Sequence, residues 1–118
     1  IPYYKGADFL LVTSNYEGYG RMFIEAAAAS LPIVSTDVGI VGDVLKPEES
    51  VLTFGTAADG AAAIHRLWAD PALRARLAGK ARQAVLARHT DFPTYLAAYR
   101  AALERCCQPS GTPGGTIQ

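Results

Sequence analysis

Apolar residues in this chain gather in two kinds of run. Phe9-Leu10-Leu11-Val12, Pro32-Ile33-Val34-Ser35-Thr36 and Val51-Leu52-Thr53-Phe54 are short and nearly continuous. Runs of that length without polar alternation suit strands of a parallel sheet covered by helices on both faces. A helical stretch of residues from about 20 to 30 separates the first two runs. The order strand, helix, strand is a βαβ unit, which calls for parallel pairing and a right-handed crossover.

From Thr56 the period lengthens. Thr56 and Asp59 form a capping box, and Ala61, Ile64, Leu67 and Trp68 recur behind it at helical spacing. Asp70 and Pro71 read as the N-cap and first residue of another helix, with Leu73 and Leu77 on its apolar stripe. Gly79 is expected to break or kink this helix before Ala81, Val85 and Leu86, while Arg74, Arg76, Lys80, Arg82 and Arg88 fall on a solvated face. A final helix is expected from Phe92 to Cys107, signalled by Thr90 or Asp91 and by Pro93, with Phe92, Tyr95, Leu96, Tyr99 and Leu103 as its apolar face.

The intervening segments are short. Ile1 to Ala7 reads as a helical turn stopped by Gly6. Asp37 to Asp43, with two glycines, forms a loop at the carboxyl end of the second strand, where ligands of open α/β sheets usually lie. Val44 and Leu45 are expected to make a short helical turn halted by Pro47. Residues 108–118, rich in Gly, Pro, Ser and Thr, read as a disordered tail. The fold class is therefore α/β: a three-layer, Rossmann-like arrangement with a parallel sheet of about three strands and C-terminal helices, one unit over residues 1–107.

Composition narrows the partners. With 118 residues, half of them apolar, the chain can bury a real core. Eleven basic and eleven acidic side chains balance, so no long-range field recommends nucleic acid. The only cysteines, Cys106 and Cys107, are adjacent and make neither a disulfide framework nor a metal site, which fits a reducing cytoplasm. No apolar run is long enough to span a bilayer. The chain opens on Ile1 rather than methionine, in keeping with a piece of something longer.

The candidate chemistry lies in the stretch Ser14 to Glu25, which follows the first strand and runs into Ala26-Ala27-Ala28-Ala29. Gly18 and Gly20 allow a tight turn and leave the amides of Tyr19, Gly20, Arg21 and Met22 able to point at one place. Free N–H groups at a helix start, together with the helix dipole, favour an anion such as phosphate. Glu17 lies in the loop and Glu25 about a turn and a half into the helix, with seven residues between them. Glu25 can accept hydrogen bonds from hydroxyls, as a carboxylate reading a ribose does. Bland readings compete. Glycines also simply end strands, Glu25 also fits an exposed helix position, and the alanine run reads as close packing. Paired carboxylates also suit glycoside hydrolysis, but a phosphate site between them argues for a nucleotide-type donor.

These residues carry a resemblance. Ala-Asp-Phe-Leu-Leu-Val-Thr-Ser, Glu-Gly-Tyr-Gly, Ile-Glu-Ala and Leu-Pro-Ile-Val-Ser-Thr-Asp-Val-Gly, within residues 7–39, resemble the donor-binding half of the group 1, or family 4, glycosyltransferases of the GT-B fold. The match runs more loosely to about Leu103. That family's signature is a glutamate, seven residues and a second glutamate, and Glu17 and Glu25 occupy those places, supported by Ser14 and by Leu31-Pro32. The resemblance implies a partial GT-B C-terminal domain and a retaining transfer of a sugar from a nucleotide-sugar donor to an acceptor hydroxyl.

By that analogy Glu17 is the catalytic-site carboxylate and contacts the donor sugar. Gly18, Tyr19, Gly20, Arg21 and Met22 hold the sugar and diphosphate, and Glu25 binds the ribose. No metal or other cofactor is implied, because basic groups and the helix start offset the leaving diphosphate. The implied partners are the nucleotide sugar, an acceptor glycan or glycolipid, and the N-terminal domain of the same enzyme, at work in the cytoplasm or at the inner face of a membrane.

Departures from the family pattern are Ala27, Arg21, Ser30, Ile40, Gly42 and Asp43. Ser30 where the family has glycine suits a helix end that stays out of the left-handed region. The alternative function is a non-catalytic module that holds a nucleotide, a nucleotide sugar or a partner protein. On either reading so small a sheet leaves an edge, and the isolated chain is expected either to self-associate through it or to be only marginally stable.

Overall fold

The structure, a computed structural model, describes residues 2–88 and 92–107. In chain order it contains α1 (Pro2–Lys5), β1 (Leu10–Val12), α2 (Arg21–Ala28), β2 (Ile33–Ser35), β3 (Leu52–Thr53), α3 (Ala57–Ala69), α4 (Pro71–Arg88) and α5 (Phe92–Cys107). The strands form one parallel sheet in the order β1-β2-β3, with Leu10 opposite Ile33, Leu11 opposite Val34 and Val34 opposite Leu52. The expectation of about three parallel strands holds. The expected tail, 108–118, and the proposed N-caps Thr90 and Asp91 lie outside the described residues.

The two faces of the sheet bury different sets of side chains. Val12, Ile33 and Val51 join Phe23, Ala26 and Ala27 of α2 and Ala81 and Val85 of α4 in one cluster. Val34 and Leu52 join Ala63 and Leu67 of α3 and Leu77 of α4 in the other. Successive strand residues point to opposite faces, so a run without polar alternation fills both clusters at once. That is why β2 is buried at all three positions. β1 departs from this expectation: Leu11 is 43% exposed, because β1 is an edge strand and α3 does not reach across it.

The alanine run is a packing device. Ala26, Ala27 and Ala81 are wholly buried, and their small side chains let α2 and α4 approach closely. Phe23, also wholly buried, anchors α2 to the sheet. Removal of such an aromatic from water stabilises a fold by roughly 1.5–3 kcal/mol.

Four details differ from the sequence reading. Helix α4 runs through Gly79 unbroken, since a single glycine costs only about 1 kcal/mol against the surrounding helix formers. Trp68 is 70% exposed rather than part of the apolar stripe, the face being filled by Ala63 and Leu67. Val44 and Leu45 form a hydrogen-bonded turn between two isolated bridges rather than helix, with the amides of both donating to the Ile40 carbonyl. This loop is also core, since Ile40, Val41, Val44 and Leu45 are all buried. Finally, the arginines are not merely solvated. Arg88 pairs with Asp43 at 3.0 Å and Arg66 of α3 pairs with Glu48 through both guanidinium nitrogens, while Arg76 donates to the Glu48 carbonyl. Together they strap the 43–48 segment to the helices.

The caps behave largely as read. The Asp59 amide donates to the Thr56 hydroxyl at 3.2 Å, but the return bond runs from that hydroxyl to the Asp59 carboxylate instead of from backbone N–H. Asp70 caps α4 by accepting from the Leu73 amide at 2.9 Å. Among the described side chains, helix α5 supplies none to either core cluster, and Tyr95, Tyr99 and Leu103 of its apolar stripe stay about half exposed.

Candidate functional site

The loops that follow β1 and β2 meet at the carboxyl edge of the sheet, the usual ligand side of an open α/β fold. After β1 the chain turns through Ser14 to Gly20 and enters α2 with Gly20 as N-cap, in the left-handed region at φ 76°. A residue with a Cβ would be strained there, and its Cβ would fall 2.5 Å from the buried Phe23 ring. No side chain caps α2, although the Phe23 amide of its first turn donates to the Gly20 carbonyl at 2.9 Å.

After β2 the chain passes through Gly39, at φ 61°. A Cβ at this position would sit 2.8 Å from the Tyr19 carbonyl oxygen. The two loops are thus in backbone contact, and only glycine allows it. A second tie runs through Thr36, whose hydroxyl donates to the Ser14 carbonyl at 2.6 Å.

Both glutamates are held by a neighbouring hydroxyl. The Ser14 hydroxyl donates to Oε1 of Glu17 at 2.8 Å, and the Tyr4 phenol donates to Oε2 of Glu25 at 3.0 Å. Ser14 is therefore fixed on one side by Thr36 and fixes Glu17 on the other. Burial first, then the hydrogen bond and charge of Glu25, raise the Tyr4 phenol above its ordinary pKa. Glu25 lines a groove of about 390 Å³ with Tyr19, Arg21 and Ile24, on the exposed side of the helix start. Arg21 is exposed at the rim, free of any ion pair among the described residues.

A second groove, of about 290 Å³, lies along the carboxyl ends of β2 and β3 between Asp37, Thr53, Phe54, Gly55 and Asp59. At the opposite, amino end of β1 a smaller hollow of about 130 Å³ is lined by Asp8, Phe9, Leu67, Trp68 and Arg74. Arg74 is occupied there by the Leu67 and Trp68 carbonyls, whose helix end it satisfies. This hollow has no link to the glycine loop.

Sequence reasoning named Glu17, Gly18, Tyr19, Gly20, Arg21, Met22 and Glu25, and the structure gathers the groove-lining Tyr19, Arg21 and Glu25 around the start of α2. Met22 turns partly inward against the core and does not line the groove. Thr36 and Tyr4 were missed, because their roles depend on contacts 22 and 21 residues away along the chain. No group of three or more His, Cys, Asp or Glu side chains able to hold a metal occurs among the described residues.

The family profile described as "Glycosyl transferases group 1" matches residues 1–84. The chain is 32% identical over 110 residues to the D-inositol 3-phosphate glycosyltransferase of Thermobifida fusca, covering 90% of this chain and 25% of that protein. It is 37% identical over 79 residues to the glycogen synthase of Mycobacterium tuberculosis, covering 65% of this chain and 19% of that protein. Among solved structures, sucrose-phosphate synthase from Thermosynechococcus elongatus superposes with a TM-score of 0.73 at 33% identity, over 87% of this chain and 26% of that one. The chain thus spans about a quarter of the length of the relatives it matches along most of its own. Its three-stranded parallel sheet with flanking helices is that of the C-terminal domain of a GT-B glycosyltransferase. With the match running through the glycine loop and both glutamates, the chain belongs to the group 1 glycosyl transferases.

Proposed function

We propose that this chain supplies the donor-binding side of an enzyme that transfers a sugar from a nucleotide sugar to an acceptor hydroxyl with retention of configuration. The observation that carries the reading is the pair of glutamates, each held by a hydroxyl, on either side of an uncapped helix start at the carboxyl edge of a parallel sheet. The amides from Gly18 to Met22 take the sugar and diphosphate, and the N-terminal end of α2 offsets the charge that builds on the leaving diphosphate. Arg21, exposed at the rim, adds a cation there, so no metal ion is required. Glu17 reads the hydroxyls of the donor sugar, next to the reacting carbon. Glu25 reads the ribose. The acceptor, a glycan or glycolipid, comes from the side of the loop after β2, and the N-terminal domain of the enzyme closes over the cleft.

The free edge of β1 leaves room for further strands of the same sheet. In the isolated chain the same edge favours self-association. No helix among the described residues is long and apolar enough to cross a membrane, so work at a membrane face is peripheral on this reading.

The test is calorimetric titration of UDP, ADP and GDP and of their glucose conjugates. Glu25→Ala should weaken the nucleoside diphosphate and the full donor alike. Glu17→Ala should spare the diphosphate and remove the added affinity that the sugar brings. A hydrogen bond to a charged group makes each loss roughly 1.5–3 kcal/mol, about ten- to a hundredfold. Equal and negligible effects from both changes would end the assignment. Tight nucleotide binding with no transfer by the full-length enzyme would favour a non-catalytic nucleotide module.

A further inference from the structure

We propose that Tyr4 is a positioning residue of this site: by holding one oxygen of Glu25 it sets the carboxylate to read ribose hydroxyls, and so sets the preference for ribonucleotides over deoxyribonucleotides. The inference rests on the ribose role of Glu25 proposed above. Tyr4 lies on α1, and its partly buried ring packs against the cluster that holds Phe23, Ala26 and Ala27 of α2. The place of its hydroxyl is therefore set by the core and not by solvent. That hydroxyl donates to Oε2 of Glu25 at 3.0 Å, across 21 residues of chain. Glu25 itself sits on a helix whose backbone is locked by the burial of Phe23, Ala26 and Ala27.

A glutamate on a helix otherwise samples several rotamers, and only some would face the groove it shares with Tyr19 and Arg21. A bond from a fixed donor selects among them, and preorganised first contacts are the ones that discriminate. The chemistry also leaves room for the ligand. An ionised carboxylate has about four acceptor positions, so one taken by the phenol still leaves places for two vicinal hydroxyls. The phenol, held above its ordinary pKa by burial and by Glu25, remains a donor at neutral pH.

Tyr4→Phe retains the packed ring and removes only the donor. The experiment titrates UDP, ADP and GDP, each with its 2′-deoxy counterpart, into the wild-type chain, Tyr4→Phe and Glu25→Gln, with thermal melts alongside. The wild type should prefer the ribose form, and Glu25→Gln should abolish that preference. Tyr4→Phe should weaken the ribose form about three- to tenfold and the deoxy form, which keeps only one of the two vicinal hydroxyls, by less, so that the ratio narrows. A merely structural role would weaken both forms by the same factor, and that unchanged ratio in Tyr4→Phe beside a lost ratio in Glu25→Gln overturns the inference while the ribose role of Glu25 stands. If Glu25→Gln leaves the ratio untouched, or none of the three nucleotides binds, the ribose reading fails and the role of Tyr4 falls with it.

Discussion

Ser30→Gly should make the protein more stable, because the end of α2 adopts a conformation that the sequence at this point does not favour. The amide of Ser30 donates to the Ala27 carbonyl at 3.0 Å and that of Leu31 to the Ala26 carbonyl at 2.9 Å. These are the paired bonds of a Schellman ending, and they require the residue between to be left-handed. Ser30 has φ 59°, contrary to the expectation that a serine here keeps the helix end out of that region. The turn back to β2 needs it: Leu31 must become buried, at 4% exposure, two residues before the strand begins.

The magnitude follows from two opposing effects. An L-residue with a Cβ costs about 1–2 kcal/mol in the left-handed helical region, which glycine avoids. Glycine loses about 0.4–1 kcal/mol through its greater freedom in the unfolded chain. The side chain of Ser30 is exposed, so its removal costs no burial. The net gain is about 0.5–1 kcal/mol, which moves the melting temperature of a domain this size up by roughly 2–6 °C. Urea unfolding followed by circular dichroism measures it as a higher midpoint at unchanged slope. Ser30→Ala is the decisive control, since it removes the hydroxyl and retains the Cβ. A gain from alanine equal to that from glycine, or a loss from glycine, refutes the conformational argument.

Gly39→Ala places a methyl group 2.8 Å from the Tyr19 carbonyl at a positive φ, so it should cost about 1–3 kcal/mol and raise amide exchange from Tyr19 to Met22, read by hydrogen-exchange mass spectrometry. Retained stability and protection would show that the two loops do not depend on one another. The Arg66 hydrogen bond, more than its charge, lowers the pKa of Glu48 below its usual value. The contribution of this pair is therefore complete above the unfolded pKa and is lost as pH falls through the depressed one. Both partners are more than half exposed, so it amounts to no more than about 0.5 kcal/mol, and Glu48→Gln should lose stability at pH 7, with the loss fading as pH falls through the depressed pKa.

What the sequence by itself determined is the local part of this protein. Short apolar runs without alternation announced a parallel sheet, Thr56 and Asp70 announced the starts of α3 and α4, and Gly18 and Gly20 announced the turn into α2. Those signals are legible because each depends on neighbours within a turn or a strand. Only the tertiary structure decided that Gly39 must approach Tyr19, that Thr36 supports Ser14, and that Tyr4 holds Glu25. It also decided that Ile40, Val41, Val44 and Leu45 are core rather than surface loop, that Gly79 stays helical and that Trp68 faces water. In each case the cause is packing between elements far apart in the chain, whose burial outweighs local propensities of about 1 kcal/mol or less. A residue's own neighbours in sequence carry no trace of that.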